Sequence, residues 1–268
     1  MLLAIDIGNT ETVVGLYEAE RAEDCLAEDG LVQHWRLSTV QERTPDEIVV
    51  LLRSLLDSEG VDMEADLTGV AVCSGVPRMR ESMRIMVQRF FDFSSVVIEP
   101  GTRSGIPILY DNPHEVGADR IANAVAANHL YGGPAVVVDF GTTNNFDVIS
   151  QDGEFLGGAI GPGIEVSLDA MVGRAAALGP VALIEPRNVI AKTTTESIQS
   201  GVIYGFASQI DGMVSRFEAE LGQELIVIAT GGLAHLIAPL SQTIQHVEPY
   251  LTLHGLWLVH KRNRQFVR

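Results

Sequence analysis

The chain has 268 residues, of which 46% are hydrophobic and 20% are charged, and its formal net charge is −17. This composition predicts a folded protein with a sizeable core and excludes a largely disordered chain, while the length allows two domains of ordinary size or one large domain. The negative charge disfavours nucleic acid and anionic membranes as partners, and no apolar run approaches the roughly 18 residues that a membrane span needs.

The cysteines and the first residues indicate the compartment. Cys25 and Cys73 are the only two cysteines, which is too few for a disulfide framework or a metal cluster and favours a reducing environment. Met1 leads directly into an apolar strand, so we expect no signal peptide. We therefore expect a cytoplasmic protein.

The first predicted element is a hairpin, LAIDIGNTETVVGLY, from Leu3 to Tyr17. An apolar strand ends at Asp6, and a polar turn follows at Gly8-Asn9-Thr10. The hydroxyls and successive backbone N–H groups of such a turn suit phosphate oxygens. Asp6 cannot hold phosphate directly, but it can hold a cation or the waters of that cation beside the phosphate.

A second copy of this pattern, AVVVDFGTTNNFDVIS, runs from Ala135 to Ser150. Asp139 follows Asp6 by 133 residues, half of the chain, and this spacing indicates an internal duplication. The duplication predicts two domains, 1–133 and 134–268. Either copy alone is equally well read as a plain β-turn, but two copies at this spacing favour a pair of phosphate-binding turns.

The rest of the first half predicts a mixed sheet covered by helices. After an acidic loop from Glu18 to Gly30 we expect a strand over 31–37, a helix capped by Thr44, a strand over 69–74, a helix from 77 to about 91 and a strand over 95–98. This order of elements is typical of an α/β domain with helices on the faces of a mixed sheet.

A second informative stretch, YDNPHEVGADRIANAVAANHLY, runs from Tyr110 to Tyr131. A helix is predicted to begin near Gly117, with Asp119 and Arg120 in its first turn. Free N–H groups and the helix dipole favour anions there, and a neighbouring carboxylate and guanidinium can accept a hydroxyl proton and bind a carboxylate or phosphate. The alternative is an ordinary dipole-compensating Asp beside a surface Arg.

The second half repeats the plan. We expect a strand from Glu154 into the glycine-rich segment 157–163, and helices from about 164, from a capping box at Thr193 or Thr194 to Leu221, and over 251–263. Gly231 and Gly232 follow a strand over 225–229, at the carboxyl end where an α/β sheet commonly binds nucleotide. Gly201 and Gly205 allow close approach either of a neighbouring helix or of the chain's own sheet.

Taken together, the two hairpins and the late Thr-Gly-Gly resemble the superfamily of acetate and sugar kinases, heat-shock chaperone ATPases and actin. The resemblance implies an α/β fold of two ribonuclease-H-like (actin-like ATPase) domains, related by duplication, with mixed sheets and helices on both faces. A narrower resemblance, to type III pantothenate kinase, covers nearly the whole chain and is carried by Asp6-Ile7-Gly8-Asn9-Thr10, Asn112-Pro113 with Gly117-Ala118-Asp119-Arg120, Asp139-Phe140-Gly141-Thr142, Gly157-Gly158 to Pro162-Gly163, Ser200-Gly201, and Leu251-Thr252-Leu253 with Gly255-Leu256.

This family resemblance implies ATP-dependent phosphorylation of pantothenate to 4′-phosphopantothenate by a homodimer that needs Mg²⁺ and a monovalent cation, K⁺ or NH₄⁺. It implies that Asp119 accepts the proton and that Asp139 binds the monovalent cation. The implied pantothenate contacts are Tyr110, Gly117, Ala118, Asp119, Arg120 and Thr194. The implied ATP contacts are Asp6, Ile7, Gly8, Asn9, Thr10, Glu11, Thr12, Val13 and Thr142, to which the turn at Gly231 and Gly232 is added.

The chain departs from the family pattern at four positions. Glu11 replaces a common Asn beside the phosphate turn, Asn144 replaces a usual Thr in the second hairpin, and Thr193 and Gly161 replace Asn and Ala. Two alternatives therefore stay open: a kinase of the same fold for another small hydroxyl or carboxylate compound, and a paralogue that binds nucleotide or pantothenate without turnover.

Overall fold

The computed structural model describes residues 1–18, 26–93, 95–175 and 178–264. Cys25 and most of the predicted acidic loop lie outside these ranges. The chain divides into two compact units, one formed by Met1–Leu130 with the segment from Tyr250 onward, and the other by Tyr131–Pro249. The predicted domains, 1–133 and 134–268, differ from these units at the C-terminal helix, which packs with the first unit.

The first unit is built on a five-stranded mixed sheet in the order β3-β2-β1-β4-β5. Its strands are β1 (Leu2–Ile7), β2 (Glu11–Tyr17), β3 (Leu31–Ser38), β4 (Gly69–Ser74) and β5 (Val96–Val97). β1 to β3 are antiparallel neighbours, whereas β1, β4 and β5 are parallel. The predicted hairpin and the predicted mixed sheet are both confirmed.

Helices cover both faces of this sheet. On one face α1 (Pro45–Ser58) and α2 (Pro77–Phe90) bury a core with the alternate residues of β1, β2 and β4. Thr44 caps α1 in a full capping box with Glu47, as predicted. α7 (Leu251–Asn263) packs on β1 and β4, and a 2.7 Å hydrogen bond from Thr252 to Asn123 ties it to α3 (Ala118–Tyr131). α7 therefore belongs to the first unit, although it is the last helix of the chain.

The second unit repeats the arrangement of the first. Its sheet runs β10-β9-β6-β7-β8, with strands β6 (Ala135–Phe140), β7 (Thr143–Ile149), β8 (Phe155–Pro162), β9 (Ile226–Thr230) and β10 (His246–Val247). The β6–β7 hairpin occupies the place of β1–β2, and β9 pairs parallel with β6 as β4 does with β1. The predicted duplication is therefore present in strand order and direction.

Three helices cover one face of the second sheet. α4 (Ile164–Arg174), α5 (Thr194–Leu221) and α6 (Ala234–Ile237) bury a core against alternate residues of β6, β7 and β9. The two units thus share one sheet topology and differ mainly in their helices.

No helix within the described ranges is long and apolar enough to cross a membrane.

Candidate active site

Thr39, the residue after β3, stabilises the first predicted phosphate turn by hydrogen bonds. The N–H of Gly8 donates to the carbonyl of Glu11 at 2.9 Å, which closes the turn. Thr39 donates its hydroxyl to the Gly8 carbonyl and its N–H to the Thr10 carbonyl, each at 2.9 Å. The hydroxyls of Thr12 and Thr39 are 2.8 Å apart, so the Thr12 side chain supports the turn from inside.

The charge of Glu11 is balanced by an ion pair with Arg36. Both side chains are largely exposed, at 48% and 40%, so the pair contributes little to stability. It does matter for an anionic ligand, because the guanidinium offsets the carboxylate that this chain places beside the phosphate turn. Sequence reasoning found Glu11 but missed Arg36, whose position depends on the β2–β3 register.

The start of α3 holds the predicted proton acceptor. The N–H of Ile121 donates to the Gly117 carbonyl at 3.1 Å, which places Asp119 in the first helical turn as predicted. Asp119 is partly exposed, whereas Arg120 is only 6% exposed. The burial of Arg120 excludes the alternative of an ordinary surface arginine, because a buried guanidinium is held by surrounding groups.

Cys73 connects β4 with the first hairpin. Its thiol donates to Asp6 Oδ1 at 3.1 Å across the β1–β4 pair. Burial raises the pKa of the Cys73 thiol well above its ordinary value, and the negative charges of Asp6 and then Asp119 raise it further. The Asp6 carboxylate is therefore held by a buried thiol on the neighbouring strand.

Two glycines, Gly163 before α4 and Gly231 after β9, lie against the second predicted phosphate turn, which follows β6. The N–H of Gly163 donates to the carbonyl of Thr142 at 3.0 Å, which ties the turn to the start of α4. Gly231 has φ +91°, and a Cβ there would lie 2.6 Å from both Asp139 Oδ1 and the Phe140 carbonyl oxygen. The Thr-Gly-Gly turn after β9 therefore folds directly onto the Asp139 carboxylate, and only glycine fits at 231.

The predicted site residues differ in exposure. The exposed ones are Asn9, Thr10, Glu11, Thr142, Thr194 and Gly232. Those of intermediate exposure are Asp6, Gly8, Val13, Tyr110, Gly117, Ala118, Asp119, Asp139 and Gly231. The buried ones are Ile7, Thr12 and Arg120. The Ile7 side chain lies in the core of the first unit, so only its backbone is available to a ligand.

Comparison with known proteins identifies the family. The family model for type III pantothenate kinase matches residues 2–216. A type III pantothenate kinase of Frankia alni is 53% identical over 264 residues, which is 98% of this chain and all of the relative. This chain belongs to the type III pantothenate kinase family. The corresponding protein of Acidothermus cellulolyticus is 51% identical over 265 residues, covering 98% of this chain and 99% of the relative.

Solved structures show the actin-like fold. Component A of the (R)-2-hydroxyglutaryl-CoA dehydratase of Acidaminococcus fermentans superposes with a TM-score of 0.57, covering 98% of each chain at 12% identity. At this identity the likeness concerns the fold alone. The predicted fold class is therefore confirmed, and membership of a kinase family implies ATP and a divalent metal ion.

One or two carboxylates are enough to bind the divalent metal ion of a kinase, and the site offers them. Within the described ranges, no three His, Cys, Asp or Glu residues form a group that could hold a metal ion. Mg²⁺ in kinases keeps several waters and is bound through one or two carboxylates together with substrate phosphates. Asp6 beside the first turn would suit that role, and Asp139 beside the second turn would suit a monovalent cation.

Thr193 is one of the departures from the family pattern that the structure explains. It caps α5, accepting a hydrogen bond from the Glu196 N–H at 3.2 Å, while Thr194 is the exposed first residue of the helix. The predicted capping box is incomplete, because the Glu196 carboxylate binds the Arg187 guanidinium instead of returning to the Thr193 N–H. That guanidinium lowers the pKa of Glu196.

Asn144 is a departure that the structure leaves without a visible partner. It is fully buried on β7 between Phe140 and Gly161. Neither polar atom of its side chain has a hydrogen-bond partner among the described residues. A buried amide without hydrogen-bond partners costs free energy of folding, so the polar atoms of Asn144 do not stabilise the second hairpin.

Proposed function

We propose that this chain transfers the γ-phosphoryl group of ATP to the primary hydroxyl of pantothenate, the first step of coenzyme A synthesis. The observation that carries the proposal is the pairing of Asp119 and buried Arg120 in the first turn of α3. A carboxylate and a guanidinium fixed on adjacent residues suit a substrate that has a hydroxyl to activate and a carboxylate to bind.

In the proposed reaction Asp119 accepts the hydroxyl proton as the hydroxyl oxygen bonds to the γ-phosphorus. The bond from that phosphorus to the bridging oxygen breaks, and ADP leaves with the electron pair. Arg120 orients pantothenate through its carboxylate. Most of the rate enhancement comes from positioning and charge neutralisation, since phosphoryl transfer asks little covalent chemistry of the protein.

The two turns are proposed to bind the phosphates of ATP. Backbone N–H groups around Asn9 and Thr142 are the donors expected at such turns, and Gly231 and Gly232 lie beside the second one. When bound, Mg²⁺ neutralises phosphate charge, and Asp6 would hold it or its waters. Asp139 would hold K⁺ or NH₄⁺. We place the reaction in the cytoplasm, which supplies both ATP and a reducing environment for Cys73.

We also propose that the chain acts as a homodimer. Gly201 and Gly205 are exposed on α5, and beyond the helix's own backbone a Cβ at either would meet no described atom within 4 Å, which argues against packing on the chain's own sheet. The Ser200 hydroxyl donates to the Val189 carbonyl at 2.7 Å, which holds Val189 (65% exposed) and Ile190 (86% exposed) beside this surface. An apolar surface of this kind is typical of a protein interface.

A coupled assay of ADP release, with and without pantothenate, tests the proposed function. We expect ADP release to depend on pantothenate and 4′-phosphopantothenate to accumulate in equal amount. ADP release with another hydroxyl or carboxylate compound but not with pantothenate would point to a different substrate. ATP binding without release of ADP would point to a paralogue that does not turn over.

A further inference from the structure

One row of side chains crosses the sheet of the first unit beside the phosphate turn. The strand registers pair Arg36 with Val13, Val13 with Asp6, and Asp6 with Cys73. Paired residues on neighbouring strands point to the same face of a sheet, so these four side chains share the face opposite the core of α1 and α2. Cys73 is the buried end of this row.

Cys73 is placed to fix the orientation of Asp6. Its thiol is fully buried and donates to Oδ1 at 3.1 Å, while the Asp6 carboxylate is partly exposed. A carboxylate turns easily about its Cβ–Cγ bond unless a hydrogen bond holds one oxygen. With Oδ1 engaged by an immobile donor on the neighbouring strand, that rotation is restricted before any ligand binds.

The neighbouring hydroxyl cannot take over this task. Ser74 follows Cys73, but its hydroxyl donates to the Val76 carbonyl and accepts from the Val76 N–H, each at 3.0 Å. These bonds commit the serine to the turn between β4 and α2. The donor to Asp6 from β4 is therefore the thiol.

We propose that Cys73 is a positioning residue, which orients the Asp6 carboxylate for phosphate-bound Mg²⁺. The proposal rests on the proposed function in so far as ATP is the ligand. Cys73 itself touches neither substrate in this scheme; it acts through Asp6. Its effect should therefore appear in the dependence on Mg²⁺ and ATP and leave the binding of pantothenate unchanged.

The test compares Cys73→Ala, which removes the donor, with Cys73→Ser, which keeps one. Two quantities are measured: the Mg²⁺ concentration that gives half of the ATP-induced rise in melting temperature, and the KM values for ATP and pantothenate. We expect Cys73→Ala to raise the Mg²⁺ requirement and the KM for ATP by about three- to tenfold, because Asp6 Oδ1 loses the donor on β4 that orients it and a small misplacement of a liganding group is costly. Cys73→Ser should stay within about twofold of the unmodified chain.

Val72→Ala provides the matched control. Val72 is the buried neighbour on β4 whose side chain points into the opposite core, so its loss lowers stability without touching Asp6. Unchanged Mg²⁺ and ATP dependence in Cys73→Ala would overturn the proposal, and so would a Cys73→Ser variant as defective as Cys73→Ala. The thermal measurement needs no pantothenate, so a chain that fails to phosphorylate pantothenate contradicts the proposed function without deciding the role of Cys73.

Discussion

The carboxylate of Asp119 folds back over Gly117, so that a methyl group on residue 117 would overlap Asp119 Oδ1. The glycine therefore leaves the space in which the proposed proton acceptor sits. Gly117 does not adopt a left-handed backbone conformation, so the backbone itself would accept alanine. A single methyl group can thus displace the carboxylate while the start of α3 stays folded.

We predict that Gly117→Ala lowers turnover by roughly ten- to a hundredfold, because small misplacements of a reacting group are costly. The melting temperature, and its rise when ATP is added, should stay close to the values of the unmodified chain. Steady-state kinetics with both substrates saturating measures the effect. Gly173→Ala is the control, since a Cβ there on α4 meets nothing within 4 Å among the residues that the structure describes. Equal turnover in the two variants would contradict the proposed role of Gly117.

Asp119→Asn tests the proton acceptor itself. The amide cannot take the hydroxyl proton, so we predict a loss of roughly 10²-fold or more in turnover with saturating pantothenate, while ATP binding persists. Asp169→Asn, an exposed change on α4, should leave turnover unaltered. Near-normal turnover in Asp119→Asn would rule out its assignment as general base.

Local structure could be predicted where the residues that determine an element lie within that element or directly beside it. The two hairpins, the Thr44 cap and the start of α3 follow from turn residues, cap residues and apolar spacing, and the structure confirms all four. The bond from Cys73 to Asp6 could not be predicted, because it depends on the register of parallel strands that lie 67 residues apart in the chain. The place of α7 could not be predicted either, since its apolar sides suit either unit.

The proposed cation site predicts a dependence on monovalent ions. We expect activity in K⁺ or NH₄⁺ and its loss in Na⁺, because a cation beside Asp139 screens polyphosphate charge and ions differ in the cavity that they fit. Asp139→Ala should be nearly insensitive to K⁺. Initial rates in chloride salts at constant ionic strength provide the measurement, and equal rates in Na⁺ and K⁺ would exclude the site.

The proposed dimer predicts that a bulky side chain on the open surface of α5 weakens association. We expect Gly201→Leu or Gly205→Leu to shift sedimentation equilibrium toward monomer and to lower pantothenate use at the same time, because a two-fold interface carries the same defect in both subunits. Ser54→Leu is the control, since it adds a similar bulk at an exposed position of α1, away from the proposed interface. A monomer with full specific activity at micromolar concentration would contradict the dimer.

His260 on α7 predicts a loss of stability in acid. Burial lowers its pKa to about 4, with a smaller contribution from the charge of Arg264. Below pH 6.5 the unfolded chain therefore binds a proton that the folded chain does not, so the free energy of unfolding falls as the pH drops towards 4. Between pH 7.5 and 5 this residue should account for about 2 kcal/mol.

Urea unfolding at these two pH values measures the effect. In His260→Gln the fall in the free energy of unfolding should be smaller by about that amount, whereas His114→Gln, an exposed change, should keep the full fall. The same acid-induced loss in His260→Gln and the unmodified chain would show that His260 does not cause it.

The return of α7 to the first unit sets the order in which the two units can be finished during translation. The ribosome releases residues 1–130 early, yet the faces of β1 and β4 that α7 covers lack this helix until residues 251–263 emerge. The second unit is one continuous segment that ends at Pro249, so all of its residues are present before those of α7. The half of the protein that is made first is therefore completed last, and a nascent chain interrupted after Pro249 has one finished unit and one that lacks its final helix.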